Sequence, residues 1–214
     1  NNTIFYPKKR DIRLAKELNI LDKFVVSFIG THGMAHALDK VLDCAELFQK
    51  NHIDDIIFLF VGEGAEKENL QRSSEQRKLK NVFFINQIRR EELHKIMARS
   101  NLNVVLLKKN SLFLSVVPSK LYESMAFGKP IVLGVEGEAK EILKAAKAGI
   151  YIRPENEVDM KEAILSFYND RNFALECGIN GRKVVEENYS RKKLTKKYDR
   201  IIKTLVKDKN HENH

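Results

Sequence analysis

The segment PSKLYESMAFGKP, from Pro118 to Pro130, combines a helix start with a lysine and a glutamate. Its first proline suits a first helical turn, where Ser119 can cap free amides, and its glycine and second proline end the helix. The start of a helix carries unpaired N–H groups and a partial positive charge, so it attracts anions. Glu123 follows Ser119 by four residues and therefore shares its face of the helix. A phosphate at the amides and a sugar hydroxyl at Glu123 would together suit one nucleotide.

Both charged residues of this segment also have an ordinary alternative role. A lone glutamate in a helix is often solvated, but the neighbours of Glu123 are apolar, and an unpaired buried carboxylate is costly. This acid should therefore have a partner or an opening beside it. Lys120 lies in the first turn, where its charge opposes the helix dipole and favours a nearby anion. It is either a phosphate ligand or an exposed first-turn lysine.

The loop Gly30-Thr31-His32-Gly33 follows an apolar run and precedes a predicted helix, in which His36 lies one turn along. Glycines let a backbone approach a phosphate closely, and a helix start supplies amide donors. The imidazoles of His32 and His36 can add neutral or charged donors. The loop lacks the lysine and hydroxyl residue of a P-loop and is not the full dinucleotide fingerprint. It predicts either a phosphate loop or a plain strand-to-helix turn with surface histidines.

Two further turns follow the second and third apolar runs of the chain. The first is Gly62-Glu63-Gly64, against which a base or ribose can lie. Its alternative is a tight turn whose glycines only serve a positive φ. The second is Asn86-Gln87-Ile88, which can offer backbone groups to a base edge.

These segments are separated by apolar runs and amphipathic patterns that alternate along the chain. Short apolar runs that end at turn residues predict strands buried on both faces. The predicted strands are Phe24–Ile29, Ile56–Val61, Val82–Ile85, Leu102–Leu107, Ile131–Leu133 and Gly149–Ile152. The predicted helices are Asp11–Leu21, a long one from Met34, Ala65–Lys80 (charged and exposed), Arg89–Arg99, the segment after Pro118, Gly137–Ala148, Glu157–Tyr168, Arg171–Glu187 and Ser190–Val206.

This alternation predicts an α/β fold, a Rossmann-like doubly wound sheet of six parallel strands with C-terminal helices. In such a sheet, ligands bind beyond the carboxyl ends of the strands, where the candidate loops fall. We divide the chain into a linker at 1–10, a Rossmann-like ligand-binding domain at 11–188 and a basic helix and tail at 189–214. The linker has the composition of a connection to something upstream.

Composition narrows the class of protein. The 214 residues are 43% hydrophobic and 31% charged, with a net charge of +9, which suits a soluble domain with an anionic partner. No apolar stretch is long enough to span a bilayer, and no signal peptide precedes Asn1, so we expect a cytoplasmic location. Cys44 and Cys177 are expected to be buried thiols. The histidines are scattered and no metal-ligand spacing occurs, so no metal is expected.

The basic final helix and the net charge leave two other partners to weigh. The helix can contact an anionic membrane surface, or it can pack on a protein domain with a solvated basic face. Nucleic acid would fit the charge alone, but the sequence has no zinc spacing, aromatic RNA-binding signature or helix-turn-helix pattern. We therefore expect no nucleic-acid partner.

Together these segments resemble the C-terminal, donor-binding half of a GT-B-fold glycosyltransferase of family 4. The branch that they resemble contains fucosamine-type transferases of O-antigen and capsule synthesis. The resemblance rests on FIGTHGMAHALDKVLDCAE, FLFVGEG with NVFFINQI, VPSKLYESMAFGKPIVLGVEGEAKEI and AGIYIRPENEVDMKEAI. It covers nearly the whole chain.

The resemblance implies a role for each candidate residue. Glu123 would bind the ribose hydroxyls, as the second acid of the family's glutamate pair. The donor diphosphate would lie against Gly30, Thr31, His32, Gly33, His36, Ser119, Lys120 and Leu121. The base would lie against Gly62, Glu63, Gly64, Asn86, Gln87 and Ile88, and the donor sugar near Ser115, Val117 and Pro118. Ser115 stands where the family has its first acid, while Thr31 and His36 stand where many members have arginine and lysine.

The resemblance also implies the activity. The family transfers a sugar from a nucleotide donor, here a UDP-sugar, with retention and without a metal or other cofactor. The family's acceptor-binding N-terminal half would be absent from these residues. The expected partners are the nucleotide-sugar, that missing half and, peripherally, the inner face of a membrane or a lipid-linked acceptor. The alternative is a non-catalytic nucleotide-binding subunit that acts with a separate acceptor-binding protein.

Overall fold

A computed structural model describes residues 21–189, 193, 195–196 and 198–204. Six strands form one parallel sheet in the order β3-β2-β1-β4-β5-β6. The strands are β1 (Phe24–Ile29), β2 (Ile56–Val61), β3 (Val82–Ile85), β4 (Leu102–Leu106), β5 (Ile131–Gly134) and β6 (Gly149–Tyr151). The strand order reverses between β1 and β4, and a crevice for a ligand opens at such a switch point in doubly wound sheets.

Besides the helical residues 193, 195–196 and 198–204, seven α-helices are described. They are α1 (Asp39–Lys50), α2 (Lys67–Gln76), α3 (Leu93–Arg99), α4 (Ser119–Ala126), α5 (Glu138–Ala146), α6 (Glu157–Asn169) and α7 (Arg171–Val184). Short 3-10 turns occur at Met34–His36, Arg90–Glu92 and Ser111–Phe113, and a π-helical turn at Val185–Tyr189 extends α7. Among the helices so described, none is long and apolar enough to cross a bilayer.

The sheet is buried on both faces, which explains why its strands are continuous apolar runs. Along β1, for example, Phe24, Val26 and Phe28 point into one core with α1 and α6. Val25 points to the other face, where it packs with residues of β2. A third cluster places α4 and α5 against β4 and β5. The α/β fold predicted from the alternating pattern is confirmed.

The long helix predicted from Met34 is wrong at its beginning. Met34–His36 is a separate 3-10 turn, Ala37 is left-handed at φ 46° and ψ 44°, and α1 starts only at Asp39. The turn is held against the end of β4, because the Lys108 N–H donates to the Ala35 carbonyl at 2.8 Å. Met34, expected on the apolar face of the helix, is 67% exposed.

The predicted cap of α4 needs a correction, and the predictions for the two ends of the chain fall largely on residues that the structure does not describe. Ser119 does not cap α4: Pro118 occupies the N-cap position and no side chain caps the helix. The predicted 1–10 linker and all but the last residue of the Asp11–Leu21 helix lie outside the described residues. Of the predicted Ser190–Val206 helix, the described residues 193, 195–196 and 198–204 are helical.

A buried hydrogen-bond network fixes α4 on the sheet. The Asn103 side chain on β4 donates to the Ser124 hydroxyl of α4 at 2.9 Å. Its oxygen accepts from the Ser27 hydroxyl of β1 at 2.6 Å, and that hydroxyl also lies 2.8 Å from the hydroxyl of Ser100. All four side chains are buried, where satisfied polar networks favour a single arrangement of the elements. The network therefore fixes α4 relative to the strands on either side of the switch point.

The end of α5 yields a first prediction. Lys147, exposed and left-handed at φ 48°, follows the helix, and the Ala148 N–H donates to the Leu143 carbonyl at 3.2 Å. Glycine is the preferred residue at this position because a Cβ is strained there. Lys147→Gly should raise the free energy of unfolding by about 0.5–1 kcal/mol in urea denaturation. Lys144→Gly, inside the same helix, should lower it by about 1 kcal/mol. Equal effects of the two substitutions would contradict this explanation.

Candidate functional site

A cavity of about 370 Å³ lies at the carboxyl ends of β1, β2 and β3, beside α4. It joins parts of four segments that the sequence singled out: the loops after these three strands and the central helix. Its lining residues are Ile29, Gly30, Thr31, Val61, Gly62, Glu63, Gln87, Ile88, Leu93 and Glu123. The chain thus folds so that candidate phosphate, base and ribose residues share one space.

Glu123 faces this space from the second turn of α4. The residue is half-buried, and it lines both the main cavity and a narrow extension toward Lys120. The helix is fixed from behind by the buried Ser124 hydroxyl, which follows Glu123 in sequence. The carboxylate therefore has the opening beside it that its apolar sequence neighbours led us to expect.

Lys120 connects the start of α4 to the loop after β1. A Cβ built on Gly30 would lie 2.4 Å from Lys120 Cε and 3.0 Å from its Nζ, so the lysine stem lies directly on the glycine. Its Nζ is 5.4 Å from the centre of the Phe28 ring. Burial lowers the pKa of Lys120, an effect that the charge of Glu123 opposes. The Lys120 ammonium therefore interacts with the charge of Glu123, while the lysine stem lies against the Gly30 loop.

Glycine is required where the two loops pack backbone against backbone. The Gly62 N–H donates to the Ile85 carbonyl at 3.0 Å and the Gly30 N–H to the Val61 carbonyl at 2.9 Å, so the loops prolong the sheet. At Gly62, with φ +141°, an added Cβ would lie 2.1 Å from the Gly30 carbonyl oxygen. The chain at the mouth of the cavity is therefore held in a conformation that a side chain would prevent.

The side chain of His32 is not a surface donor, which corrects the expectation for this residue. It has no exposed area, and neither ring nitrogen has a hydrogen-bond partner. Its ring centroid lies 5.7 Å from that of Phe28 and 6.0 Å from that of Phe60. Burial, with the nearby charge of Lys67, lowers the pKa of His32 to about 4. Its main chain is also paired, because the N–H donates to the Glu63 carbonyl at 2.8 Å and the carbonyl accepts from the Glu66 N–H at 2.9 Å.

His36 is also neutral and tied to the sheet. Its Nδ1 lies 3.2 Å from the Leu106 carbonyl, and burial, followed by the charge of Lys120, lowers its pKa. Lys120 is close enough to both histidines to lower the pKa of each, and its stem lies on Gly30. The predicted diphosphate position therefore depends on Lys120, glycine backbone and the start of α4.

Several predicted site residues lie beside the cavity and do not line it. Leu121 has no exposed area, whereas Ser115 and Ser119 are exposed. The loop that carries Ser115 is held by the Glu138 N–H, which donates to the Leu114 carbonyl at 3.0 Å. The residues outside the lining are His32, Gly33, His36, Gly64, Asn86, Ser115, Val117, Pro118, Ser119 and Leu121, while Lys120 lines only the narrow extension.

Sequence reasoning missed Lys67, which was placed on an exposed charged helix. Lys67 is 6% exposed, and its Nζ donates to Glu63 Oε1 at 2.6 Å and to Asn86 Oδ1 at 2.7 Å. It therefore links the turn after β2 to the turn after β3. The four-residue spacing between Glu63 and Lys67 was the available signal, since residues so spaced can pair at a helix start.

Comparison with known proteins assigns the chain to a family. The family described as "Glycosyl transferases group 1" matches residues 10–184. The chain belongs to this family. This glycosyltransferase domain is 22% identical over 185 residues to the uncharacterized glycosyltransferase MJ1069 of Methanocaldococcus jannaschii, covering 86% of this chain and 46% of that protein.

Two further comparisons agree with the family. The domain is 26% identical over 148 residues to the putative colanic acid biosynthesis glycosyl transferase WcaI of Escherichia coli, covering 63% of this chain and 35% of that protein. The crystal structure of Anabaena Alr3699/HepE in complex with UDP aligns with a TM-score of 0.83 at 15% identity, covering 95% of this chain and 55% of that one. The likeness to HepE shows the fold, which is that of GT-B glycosyltransferases. The domain spans less than half the length of these two curated relatives.

Proposed function

We propose that this glycosyltransferase domain binds the UDP-sugar donor of a retaining, metal-independent transferase. The observation that carries the proposal is the shared cavity, which Glu123 lines together with residues of the turns after β1 and β2. An acid and a glycine-rich loop within one cavity, beside the start of α4, match the parts of one nucleotide.

In this proposal, the diphosphate lies between the Gly30 loop and the start of α4. Backbone N–H groups and the Lys120 ammonium would stabilise the negative charge that grows on the diphosphate as the sugar departs. Because these dipoles are fixed before the reaction, little reorganisation is needed when that charge appears. Glu123 would accept hydrogen bonds from the ribose hydroxyls, and Glu63 and Gln87 would face the base.

The names of similar proteins support the choice of nucleotide and of biological setting. HepE was crystallised with UDP, and separately with UDP-glucose. WcaI is named for colanic acid biosynthesis. We therefore propose a role in bacterial surface polysaccharide assembly, within the fucosamine-transferase-like branch of family 4. Because the domain spans less than half of its curated relatives, we further propose that an acceptor-binding half completes the active site.

Glu123→Ala tests the ribose contact. The substitution should weaken UDP binding by about 1–3 kcal/mol, the range for a lost hydrogen bond to a charged group. Isothermal titration calorimetry of the chain with UDP measures this change. Glu162→Ala, which removes an exposed carboxylate from α6, is the matched control and should leave UDP affinity as it is. Unchanged UDP affinity in Glu123→Ala would overturn the assignment.

A further inference from the structure

Lys67 forms a buried clamp between two turns of the sheet edge. Its Nζ lies 2.6 Å from Glu63 Oε1, in the turn after β2, and 2.7 Å from Asn86 Oδ1, in the turn after β3. The same Glu63 oxygen accepts the Gln87 N–H at 3.3 Å. Two of these contacts, Lys67 to Asn86 and Gln87 to Glu63, join the two turns, and the third ties Lys67 to Glu63.

The position of Lys67 is unfavourable in two respects unless these partners are present. The residue begins α2, where a positive charge opposes the helix dipole. It is also 6% exposed, and a buried ammonium loses its hydration. Glu63 compensates for both effects, and hydrogen bonding from Lys67 lowers the pKa of the Glu63 carboxyl, which keeps it ionised. The clamp is thus a mutually dependent unit and differs from a surface ion pair, whose contribution is small.

The clamp adjoins the part of the cavity lining that the turns after β2 and β3 form. Glu63 and Gln87 line the cavity, whereas Lys67 does not. With so little exposed surface, the lysine acts through these two residues and not through direct contact with a ligand. It sets the distance between the turns and the direction of the Glu63 carboxylate.

We infer that Lys67 is a positioning residue that fixes the base-reading wall and so determines nucleobase discrimination. The inference rests on the proposed function, which puts the base against this wall. Recognition of a base edge requires donors and acceptors held at fixed positions, because an unpaired polar group on either partner costs binding energy. The phosphate end is formed by other groups, those of Lys120 and the Gly30 loop, none of which is a member of the clamp. Loss of the clamp should therefore reduce discrimination between bases more than it reduces attraction for the diphosphate.

The test compares UDP with ADP, which share the diphosphate and ribose but differ in the base. Calorimetry gives both dissociation constants for the chain, for Lys67→Met and for Asn86→Ala. Lys67→Met retains the apolar stem and leaves Glu63, with 48% of its side chain exposed, accessible to water. We expect it to weaken UDP binding about tenfold and ADP binding much less. The affinity for UDP divided by the affinity for ADP should therefore fall toward one.

Two further variants separate positioning from general damage. Lys50→Met removes an exposed lysine whose Nζ lies 2.7 Å from Glu46, four residues earlier, as Lys67 follows Glu63. It should leave both affinities and their ratio unchanged. Lys120→Ala should weaken both nucleotides by a similar factor, since it acts on the phosphates. In the double variant Lys67→Met/Asn86→Ala, the fold-loss in UDP affinity should be smaller than the product of the fold-losses in the two single variants, because both residues belong to one clamp.

The outcomes distinguish the inference from the proposed function. A chain that binds neither nucleotide overturns both. If the chain prefers UDP and Lys67→Met retains that preference, the inference is overturned while the proposed function stands. An equal loss for both nucleotides in Lys67→Met also overturns it, because that pattern indicates general damage. A selective loss of UDP in Lys67→Met, together with an unaffected Lys50→Met, supports it.

Discussion

Gly62→Ala should lower the free energy of unfolding by about 3 kcal/mol or more. The backbone at this residue has φ +141°, a conformation that costs a side-chain-bearing residue about 1–3 kcal/mol. The added Cβ would also lie 2.1 Å from the Gly30 carbonyl oxygen, and backbone cannot rotate away as a side chain can. Relief would require the two turns to separate, which breaks the hydrogen bond from the Gly30 N–H to the Val61 carbonyl. Urea denaturation, followed by circular dichroism, measures the change.

Gly33→Ala is the control in the neighbouring turn. Gly33 has an ordinary extended backbone at φ −100°, and the nearest atom to an added Cβ is 3.8 Å away. This substitution should therefore change stability by less than about 1 kcal/mol. If both alanine variants unfolded at the same urea concentration, close packing of the turns would not be the reason for glycine at Gly62.

The strands were predictable because one physical requirement determines them. A strand covered on both faces needs apolar residues without interruption, and β1 and β2 begin and end where their apolar runs do. Parallel strands with helical crossovers then place all carboxyl ends on one edge. This is why Thr31, Glu63 and Glu123, far apart in sequence, could be assigned to one site before any coordinates.

Local backbone breaks were not predictable from the same patterns. Ala37 adopts a left-handed conformation in a segment whose residues all suit a helix, and no glycine or asparagine indicates it. The cause lies in tertiary structure: the end of β4 binds the preceding turn through the Lys108 N–H. Propensity describes only neighbours in sequence, and here a distant strand decides the outcome.

The burial of individual polar residues was also not predictable from the sequence. Lysine is rarely fully buried and histidine is intermediate, so residue type gave no reason to expect burial of Lys67 or His32. Their burial follows from the way the turns after β1, β2 and β3 close over one another. Which residues form the site was therefore predictable to the level of the segment, while the direction of individual side chains was not.

Between pH 7 and pH 5, the chain should lose about 2 kcal/mol of unfolding free energy through His32 alone. In the folded protein, burial and the charge of Lys67 lower the pKa of His32 from 6.5 to about 4. The unfolded chain therefore binds a proton at this residue as the pH falls through 6.5, while the folded chain remains neutral until about pH 4. Because the unfolded state binds more protons in this window, stability falls with pH.

The groups that face His32 reinforce this direction. Lys67, His36 and Lys120 all disfavour a positive charge on its ring, and Glu63 opposes them. The pKa of His36 is also lowered, chiefly by burial, so its protonation adds to the same loss. The imidazole of His32 lacks a hydrogen-bond partner, whereas the contact of His36 with the Leu106 carbonyl favours its charged form, which makes His32 the stronger of the two.

His32→Leu isolates this contribution. Leucine fills a similar apolar space among Phe28, Phe60 and Phe84 and cannot be protonated, so the loss between pH 7 and pH 5 should shrink by about 2 kcal/mol. The control is His52→Asn, at an exposed histidine with φ 55°, a conformation that asparagine tolerates. Urea denaturation at both pH values gives the four free energies needed for each variant and the unaltered chain. If His32→Leu retained the full pH dependence, the loss would have to arise from other groups, and the buried neutral imidazole would not be what makes the loop acid-sensitive.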